Sequence, residues 1–457
     1  MAVAGMSNST SPYRLRKHLH FDALIRLARE RFEKIPDSRR CPLYSLPDIL
    51  MSGLAMFSLK DPSLLAFQSR ARDGNLASIF GLKAIPSDTQ EREVLDEVDT
   101  PHFRPLFTDC FRQAQRGKIL EDYLFLEGCY LIALDGVEYF GSKTVHCDHC
   151  MTRNHKNGEV SYYHQMLGAV IVHPDISCVI PLCPEPIQRQ DGATKNDCER
   201  NAARRWLEQF RREHPHLPVI IAEDGLSSNG PHIQDLKDAN CHFILGVKPG
   251  DHAYLFEQLA ERAEAGDGMT WEVTNPKTKV SQSYLCVNAV SLNETHKDLL
   301  VNVLHYVEVD AEGIEHKWTW VTDFELTVEK APQVMRGGRS RWKVENETFN
   351  TLKNQGYHFE HNYGHGHKYL CVNFAMLMML AFLIDQIQQR SNKLFEKARE
   401  EKGPKKSLWE AIRHLFYSFV VGSMAAIYEA IAFGYERPRL ETLIEQKRAT
   451  TLGLDTS

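Results

Sequence analysis

The chain has 457 residues, of which 43% are hydrophobic and 25% are charged, and its formal net charge is -6. This composition excludes an intrinsically disordered chain, and the length predicts two or three structural units. A net negative charge gives no overall sign of nucleic-acid binding, but the segment RGGRSRWK at 336–343 holds four basic residues and no acid. Because phosphate is attracted by local patches, this segment is a candidate contact, and a solvated helix face is the alternative.

The compartment is indicated by the N-terminus, the apolar runs and the cysteines. The first eighteen residues lack the apolar core of a signal peptide. The longest apolar run, at 372–384, contains Asn373 and is too short to span a bilayer, so it predicts a buried helix and no membrane partner. Eleven cysteines, an odd number in a long chain, favour a reducing compartment over a disulfide framework. We therefore expect a cytoplasmic protein.

Along the chain, residues 11–125 carry apolar residues at helical spacing and predict a helical N-terminal region. The pattern then changes to short apolar runs typical of buried strands, at 130–140, 162–174, 178–187 and 217–230. An amphipathic helix at 198–215 precedes the last of these strands, which runs into an acid and a glycine turn.

The second half of the chain begins with a β-rich segment. Residues 270–325 predict an antiparallel unit, in which 304–309 and 314–324 form a hairpin around the turn Asp-Ala-Glu-Gly. Helices follow to the C-terminus, apart from a Gly/His-rich loop at 356–369. The order of elements therefore indicates an α/β fold, with a mixed sheet and a β-rich insertion between helical N-terminal and C-terminal regions.

Three acids lie on, or directly after, the apolar elements of this core. Asp135 is on the first strand, Asp224 ends the fourth, and Glu345 is on a helix beyond the insertion. Converging buried acids repel one another unless a cation joins them, and hard oxygen ligands select Mg²⁺ or Mn²⁺. Two such ions support phosphoryl transfer. Asp-Gly is also a common turn, so the prediction depends on the order of all three acids.

The spacing within RWKVENETFNTLK (341–353) separates its two glutamates. Residues three, four and seven apart share a helix face. Glu345 is therefore expected to lie with a stripe made up of Arg341, Trp342, Phe349 and Leu352. Glu347 is expected to point away, on the side of Lys343. Because a carboxylate directed at a core needs a cation or hydrogen-bond donors, Glu345 is the candidate for chemistry.

The stretches YLIALDGVEYF, LPVIIAEDGL and RWKVENETFNTLKNQGYHFEHNYGHG resemble the DDE transposases of bacterial insertion sequences, in particular the insertion-sequence-four group. The likeness covers roughly residues 125–370. It implies an RNase H-like core with a β insertion before the glutamate, which the 121 residues from Asp224 to Glu345 fit. It also implies that Asp135, Asp224 and Glu345 are the catalytic, metal-binding triad for Mg²⁺ or Mn²⁺.

The resemblance assigns DNA contacts as well. Arg341 matches the arginine of the family's Tyr-Arg-Glu-Lys signature, four residues before the acid, and Arg339 belongs to the same basic segment. Lys353 stands one residue beyond the signature's lysine position, where this chain has Leu352. Gly338 occupies the tyrosine position. We expect Arg341, Lys353 and Arg339 to bind DNA, and the incomplete signature leaves the subgroup open.

The segment HCDHCMTRNH (146–155) is a separate candidate metal site. Two thiolates and two imidazoles could hold Zn²⁺ in a tetrahedral site, and the candidate ligands are Cys147, Cys150, His146 and His155. No second Cys-x2-Cys exists, so a reduced loop beside the first strand is the alternative. The four histidines at 358–367 are interpreted as turn-forming residues near the active site, with metal binding as the alternative.

Two tryptophans of the insertion, Trp318 and Trp320, alternate along a strand and should point to one face. Related enzymes can present an aromatic side chain of this insertion to a flipped base. Hydrophobic packing is the interpretation favoured for this pair.

The predicted function is a metal-dependent DNA transposase that nicks transposon ends and joins the freed 3′-hydroxyl to target DNA. Its partners would be the inverted-repeat ends and the target, with a dimer in the DNA complex and a place on the nucleoid. Three alternatives stay open: a domesticated RNase H-like nuclease, a catalytically silent DNA-binding regulator of transposition, and a zinc protein centred on the Cys/His loop.

The expected regions are a helical N-terminal DNA-binding domain at 1–125, an RNase H-like core at 126–268, a β insertion at 269–325, a core completion with the catalytic Glu helix at 326–370, and a helical C-terminal region at 371–457.

Overall fold

The computed structural model describes residues 16–70, 74–189 and 196–436, and beyond them residues 439, 441, 442, 444, 445, 447 and 448. The first fifteen residues of the predicted N-terminal region and the last nine of the predicted C-terminal region lie outside the described residues. Six α-helices precede the first strand in the described part: α1 Phe21–Phe32, α2 Leu46–Leu59, α3 Leu64–Gln68, α4 Gly74–Phe80, α5 Asp88–Asp96 and α6 Arg104–Arg116. The helical character predicted for this stretch is confirmed.

Side-chain caps set where several of these helices begin. Ser45, Ser63 and Ser87 precede α2, α3 and α5, and each hydroxyl accepts a hydrogen bond from a backbone N–H of the first turn. Each cap satisfies a donor that has no partner inside the helix. Lys60 is the C-cap residue of α2, and its left-handed φ of 54° turns the chain away from the helix axis.

The strands join into one mixed sheet. They are β1 Tyr130–Ser142, β2 Met151–Asn154, β3 Val160–His173, β4 Ile176–Pro181, β5 Glu185–Ile187, β6 Val219–Glu223, β7 His242–Gly246, β8 Met269–Thr274, β9 Ser281–Asn293, β10 His296–Val309 and β11 Glu315–Thr322. β3 is antiparallel to both β1 and β4, β6 is parallel to β1, and β7 is parallel to β6. The resulting order β4-β3-β1-β6-β7 is that of an RNase H-like core, so the predicted fold class is confirmed.

The β insertion extends this sheet and does not form a separate one. β11 pairs antiparallel with β7, and β10, β9 and β8 follow in order to the edge. The predicted hairpin is β10–β11, with Val309 opposite Glu315. Its turn is fixed by Asp310, whose carboxylate accepts hydrogen bonds from two backbone N–H groups, and by Gly313 at a φ of 83°. The insertion thereby adds four strands to the β7 edge of the core sheet.

The remaining helices cover the sheet and form the C-terminal region. They are α7 Glu199–Glu213, α8 Gly230–Asp238, α9 Ala253–Glu264, α10 Ala331–Ser340, α11 Asn350–Asn354, α12 Leu370–Ser391, α13 Lys393–Lys402, α14 Lys405–Ser418 and α15 Met424–Phe433. Between α10 and α11, residues Val344–Phe349 form a π-helical turn. Such a turn takes more residues than an α-helical one and changes which side chains share a face.

Helix α12 is the central element of the helical region. In the part of the chain that the structure describes, it alone is long and apolar enough to cross a membrane, and 94% of its apolar window is buried inside the protein. It packs against α2, α5, α6 and β4, as the predicted buried helix should. Its polar residues are paired: Asp385 binds Lys60 and Tyr357, and Asn373 donates to two backbone carbonyls after α5 and within it. The first and last parts of the chain therefore share one core.

Candidate active site

One cleft of about 710 Å³ contains all three acids proposed from the sequence. It is lined by Asp135 of β1, by Asp224 directly after β6, and by Glu345 of the π-helical turn. In the parallel pair β1–β6, Ala133 lies opposite Ala222. Each aspartate is two residues beyond its alanine, and side chains alternate between faces along a strand, so the register carries both carboxylates to the same side of the sheet.

Asp135 is the most constrained of the three. Its Oδ2 accepts a hydrogen bond of 2.7 Å from Arg341 Nη1, and its Oδ1 accepts one of 2.9 Å from the backbone N–H of Gly136. Burial raises the pKa of Asp135; the charge and hydrogen bond of Arg341 lower it, and the neighbouring charge of Asp224 raises it again. Asp135 and Asp224 are thus electrostatic neighbours, and the guanidinium offsets their mutual repulsion.

The two glutamates of the 341–353 segment separate as expected. Glu345 lines the cleft, whereas Glu347 does not and instead lies near Lys343 and Lys405, whose pKa values its charge raises against the effect of burial. Both glutamates belong to the π-helical turn. The turn places one carboxylate on the cleft that the aspartates also line, and the other near a pair of lysines.

Trp342 departs from the predicted apolar stripe, because its side chain is not buried with the others. Phe349 and Leu352 are buried as predicted, but Trp342 is 49% exposed and lines the cleft. The α-helical spacing fails here because α10 ends at Ser340 and a π-helical turn begins at Val344. Its indole lies beside the Arg341 guanidinium, 5.0 Å from ring centroid to Cζ. An aromatic surface therefore stands open next to the acids.

The contact with Trp320 explains why glycine, and not tyrosine, stands at position 338. A Cβ at position 338 would lie 2.8 Å from Trp320 Cδ1, and closer still to Nε1 and Cε2 of the same indole. Trp320 is only 5% exposed and is held in β11 between β7 and β10. The indole occupies the space into which a tyrosine at 338 would project, so a side chain at this signature position would collide with it.

The three predicted DNA-binding residues have different surroundings. Arg341 and Lys353 line the cleft, together with Lys248 and Lys317. Lys353 also pairs with Glu360 across 2.8 Å. Arg339 does not line the cleft: it lies over the Trp318 ring and pairs with Glu308 at 3.0 Å. Trp318 and Trp320 both line the cleft from the same face of β11, which was the expected geometry.

A fourth acid, Glu199, adjoins the site and was missed in the sequence. It begins α7, and its Oε1 accepts a hydrogen bond of 2.7 Å from Gln165 Nε2. Burial raises the pKa of Glu199, and the charges of Asp135 and Asp224 raise it further. A Cβ at Gly136 would collide with this carboxylate and with the Gln165 amide. The glycine after Asp135 therefore makes room for Glu199 within a strand, and it is not a turn residue.

The chemistry of this donor set fits a hard divalent cation. Asp135, Asp224 and Glu345 offer carboxylate oxygens at the edge of one cleft, and Asp135 already bonds to a cation, the Arg341 guanidinium. The three carboxylates do not form a tight cluster of their own. Within the described residues, the one group of three or more ligand atoms all within 4.8 Å of one another is formed by Cys147, Cys150, His164 and His365.

This second cluster corrects the predicted zinc ligands. Cys147 and Cys150 come together as expected, but His146 and His155 are elsewhere: His146 stacks on Tyr162 at 4.2 Å, and His155 Nε2 lies 2.9 Å from Ser161 Oγ. The imidazoles beside the thiols come from β3 and from the Gly/His-rich loop. Ligands distant in sequence reach the thiols because folding packs that loop against the β1–β3 pair.

The other histidines of the Gly/His-rich loop fit their interpretation as loop residues. His358 has a left-handed φ of 58°, and His361 packs edge-on against the Tyr363 ring. His367 is exposed, and its backbone N–H donates to Asp96. Only His365 of the four turns into the thiol cluster.

Comparison with known protein families gives the family of the chain. The family described as Transposase DDE domain matches residues 146–383, just over half of the chain. The chain belongs to this family. Transposases of this family are in general DNA-cleaving and DNA-joining enzymes that depend on a divalent metal. The matched residues include Asp224 and Glu345, whereas Asp135, on β1, lies before them.

One solved structure similar to the chain is described as a piggyBac transposase synaptic complex with hairpin DNA. It has a TM-score of 0.39 and 10% sequence identity, and the match covers 93% of this chain and 81% of that one. The comparison with curated proteins gave no match.

Proposed function

We propose that this DDE-family chain is the transposase of a bacterial insertion sequence of the insertion-sequence-four-like group, which cleaves DNA at the ends of its element and joins them to target DNA. The observation that carries the proposal is the cleft shared by Asp135, Asp224 and Glu345. It combines acids from two adjacent parallel strands with one from a helical turn, in a chain whose family is that of DDE transposases.

In this proposal Asp135, Asp224 and Glu345 hold Mg²⁺ or Mn²⁺. When bound, a pair of such ions supplies an activated hydroxyl nucleophile and neutralises charge at the scissile phosphate. Because the three carboxylates line one cleft, the scissile phosphate would bind inside that cleft. Arg341 neutralises Asp135 through a hydrogen bond of 2.7 Å, and its guanidinium can pass to a DNA phosphate once a cation takes over that charge.

The rim of the cleft is suited to a nucleic-acid strand. Lys248, Lys317 and Lys353 line it and supply positive charge for the backbone. Trp342 supplies an exposed aromatic face within the same cleft, on which an unpaired base could stack. Stacking on Trp342 would require a base that has left the duplex, as in a bent or frayed DNA end.

The remaining partners follow from the reaction. The N-terminal helical region, at 1–125, is proposed to bind the inverted repeats of the element. Because two ends must be cut and joined in a coordinated way, the chain is proposed to act as a dimer in the DNA complex, on the nucleoid of a bacterial cytoplasm.

The test is cleavage of a supercoiled plasmid that carries the flanking ends of the element, in the presence of Mg²⁺. We expect Glu345→Gln, like Asp135→Asn and Asp224→Asn, to lower the cleavage rate by at least about 10³-fold, because charge stabilisation by the cations is lost. The matched control is Glu347→Gln, two residues away in the same turn but outside the cleft, which should stay close to wild type.

Equal activity of Glu345→Gln and wild type would refute the assignment of the triad. Strand transfer from pre-cut ends separates transposition from simple cleavage: a protein that cuts but never joins would be a nuclease and not a transposase.

A further inference from the structure

The thiol and imidazole cluster outside the cleft has the dimensions of a metal site. Cys147 Sγ and Cys150 Sγ are 3.8 Å apart. His164 Nε2 lies 3.4 Å from each sulfur, and His365 Nε2 lies 3.4 Å from Cys150 Sγ. All four ligand atoms lie within 4.8 Å of one another, and all four residues are buried.

These distances can be compared with those that a tetrahedral zinc ion requires. With Zn–S near 2.3 Å and Zn–N near 2.05 Å, a tetrahedral angle places two sulfurs about 3.8 Å apart and a sulfur and a nitrogen about 3.6 Å apart. The observed separations between Cys147, Cys150 and His164 agree with those values within a few tenths of an ångström. A disulfide would need the sulfurs at about 2.05 Å.

The surroundings indicate a structural site and not a catalytic one. The His365 ring lies 4.3 Å from the Phe140 ring, and the His164 ring stacks on Tyr139 at 6.1 Å. Two cysteines and two histidines fill a tetrahedral shell and leave no open position for a substrate. Nδ1 of each histidine is buried without a hydrogen-bond partner in the described part of the chain, so the rings are held by their packing against Tyr139 and Phe140.

The four residues of the cluster come from two segments that are distant in sequence. Cys147 and Cys150 lie between β1 and β2, and His164 lies on β3, close in sequence. His365 is 215 residues beyond Cys150, in the loop that follows the Glu345 turn and α11. A metal bound here would join the strand that carries Asp135 to the segment that follows Glu345.

We propose that Cys147, Cys150, His164 and His365 bind one structural Zn²⁺, which cross-links the Gly/His-rich loop to the β1–β3 pair. The proposal does not depend on the proposed catalytic activity, since the ligands are separate from the cleft. The competing chemistry for the same residues is a Cys-x2-Cys pair without metal, either reduced or oxidised to a disulfide.

The first measurement is elemental analysis of the full-length protein purified without added metal and after exhaustive dialysis. We expect about one zinc per chain. His365→Ala and Cys147→Ser should lose it and melt at lower temperature, while His365→Cys should keep it by supplying a third thiolate. The matched controls are His367→Ala in the same loop and His146→Ala beside Cys147, both exposed and outside the cluster.

A second measurement keeps the test decisive if a ligand variant does not fold. Wild-type protein in which Co²⁺ replaces the zinc should show the visible bands of a tetrahedral ion and thiolate charge-transfer absorption. Glu345→Gln should retain the zinc even if it is inactive, which separates this proposal from the proposed function. Wild-type protein free of zinc, with Cys147 and Cys150 reduced or in a disulfide by mass spectrometry, overturns the proposal, as does full zinc content in His365→Ala.

Discussion

The contact between Gly338 and Trp320 predicts whether Gly338→Ala stabilises or destabilises the fold. In an open helix, Gly→Ala stabilises by about 1 kcal/mol, because alanine loses less backbone entropy on folding. At position 338 the new Cβ would stand 2.8 Å or less from three indole atoms, against an ordinary carbon contact of about 3.5 Å or more. Trp320 is 5% exposed and its backbone is paired on both sides of β11, so the indole can yield only towards the cleft that it lines.

We therefore expect Gly338→Ala to destabilise the protein by about 1–3 kcal/mol, the usual cost of overpacking a close-packed site. In a Trp320→Ala background the obstacle is gone, and the same Gly338→Ala change should become neutral or stabilising by up to about 1 kcal/mol. Trp320→Ala alone should be destabilising, since a large buried side chain is removed.

The assay is chemical denaturation of the four proteins of this double-mutant cycle, followed by tryptophan fluorescence and circular dichroism. Gly74→Ala, at the start of α4 with no atom near its added Cβ, serves as the control and should have the same effect in both backgrounds. If Gly338→Ala has one and the same effect with and without Trp320, the indole is not what requires glycine at the signature position.

Three further outcomes are expected. Arg341→Gln should move the acid limb of the cleavage rate to higher pH, because Arg341 lowers the pKa of Asp135 while burial and Asp224 raise it. Burial raises the pKa of Glu91 from 4.5 to about 8, so the unfolded chain releases a proton that the folded chain keeps. Stability should therefore fall as pH rises from 4.5 to about 8, by up to about 5 kcal/mol, and Glu91→Gln should remove that slope in urea unfolding. Trp342→Ala should weaken binding of frayed end DNA by about 1–3 kcal/mol in a titration while leaving the melting temperature nearly unchanged.

Each of these has a matched control. Arg336→Gln removes a cation of α10 that pairs with Asp175 outside the cleft, and its pH profile should match wild type. Glu93→Gln, exposed on the same helix as Glu91, should leave the pH dependence of stability intact. An unshifted acid limb in Arg341→Gln, an unchanged slope in Glu91→Gln, or undiminished DNA binding by Trp342→Ala would contradict the respective argument.

What could be predicted from the sequence depended on local patterns. Short apolar runs located β1, β3 and β6, and the turn Asp-Ala-Glu-Gly located the β10–β11 hairpin. Those patterns placed Asp135 on the first strand and Asp224 at the end of the fourth, and the structure shows that these two strands are paired in parallel. These features are determined by residues within a few positions of one another.

The features that were missed depend on contacts between distant segments. Glu199 lies beside Asp135 only because α7 packs its first turn onto β1, and nothing in its own neighbourhood marks it as part of the site. His365 joins the thiols across 215 residues. The exposure of Trp342 follows from a local change of helix type, which apolar periodicity at 3.6 residues cannot reveal.

The core around α12 has a consequence for anyone dissecting this protein. Lys60, just after α2, is buried against Asp385 of α12. Asn75 of α4 donates to the carbonyls of Phe416, within α14, and Phe419, directly after it. The buried charge of Lys60 and the buried amide of Asn75 therefore each depend on a partner from the other end of the polypeptide. Fragments that stop before α12, or begin after α6, would leave these groups and a broad apolar surface open to water, so recognition and catalysis should be studied by point substitution in the intact chain rather than by trimming.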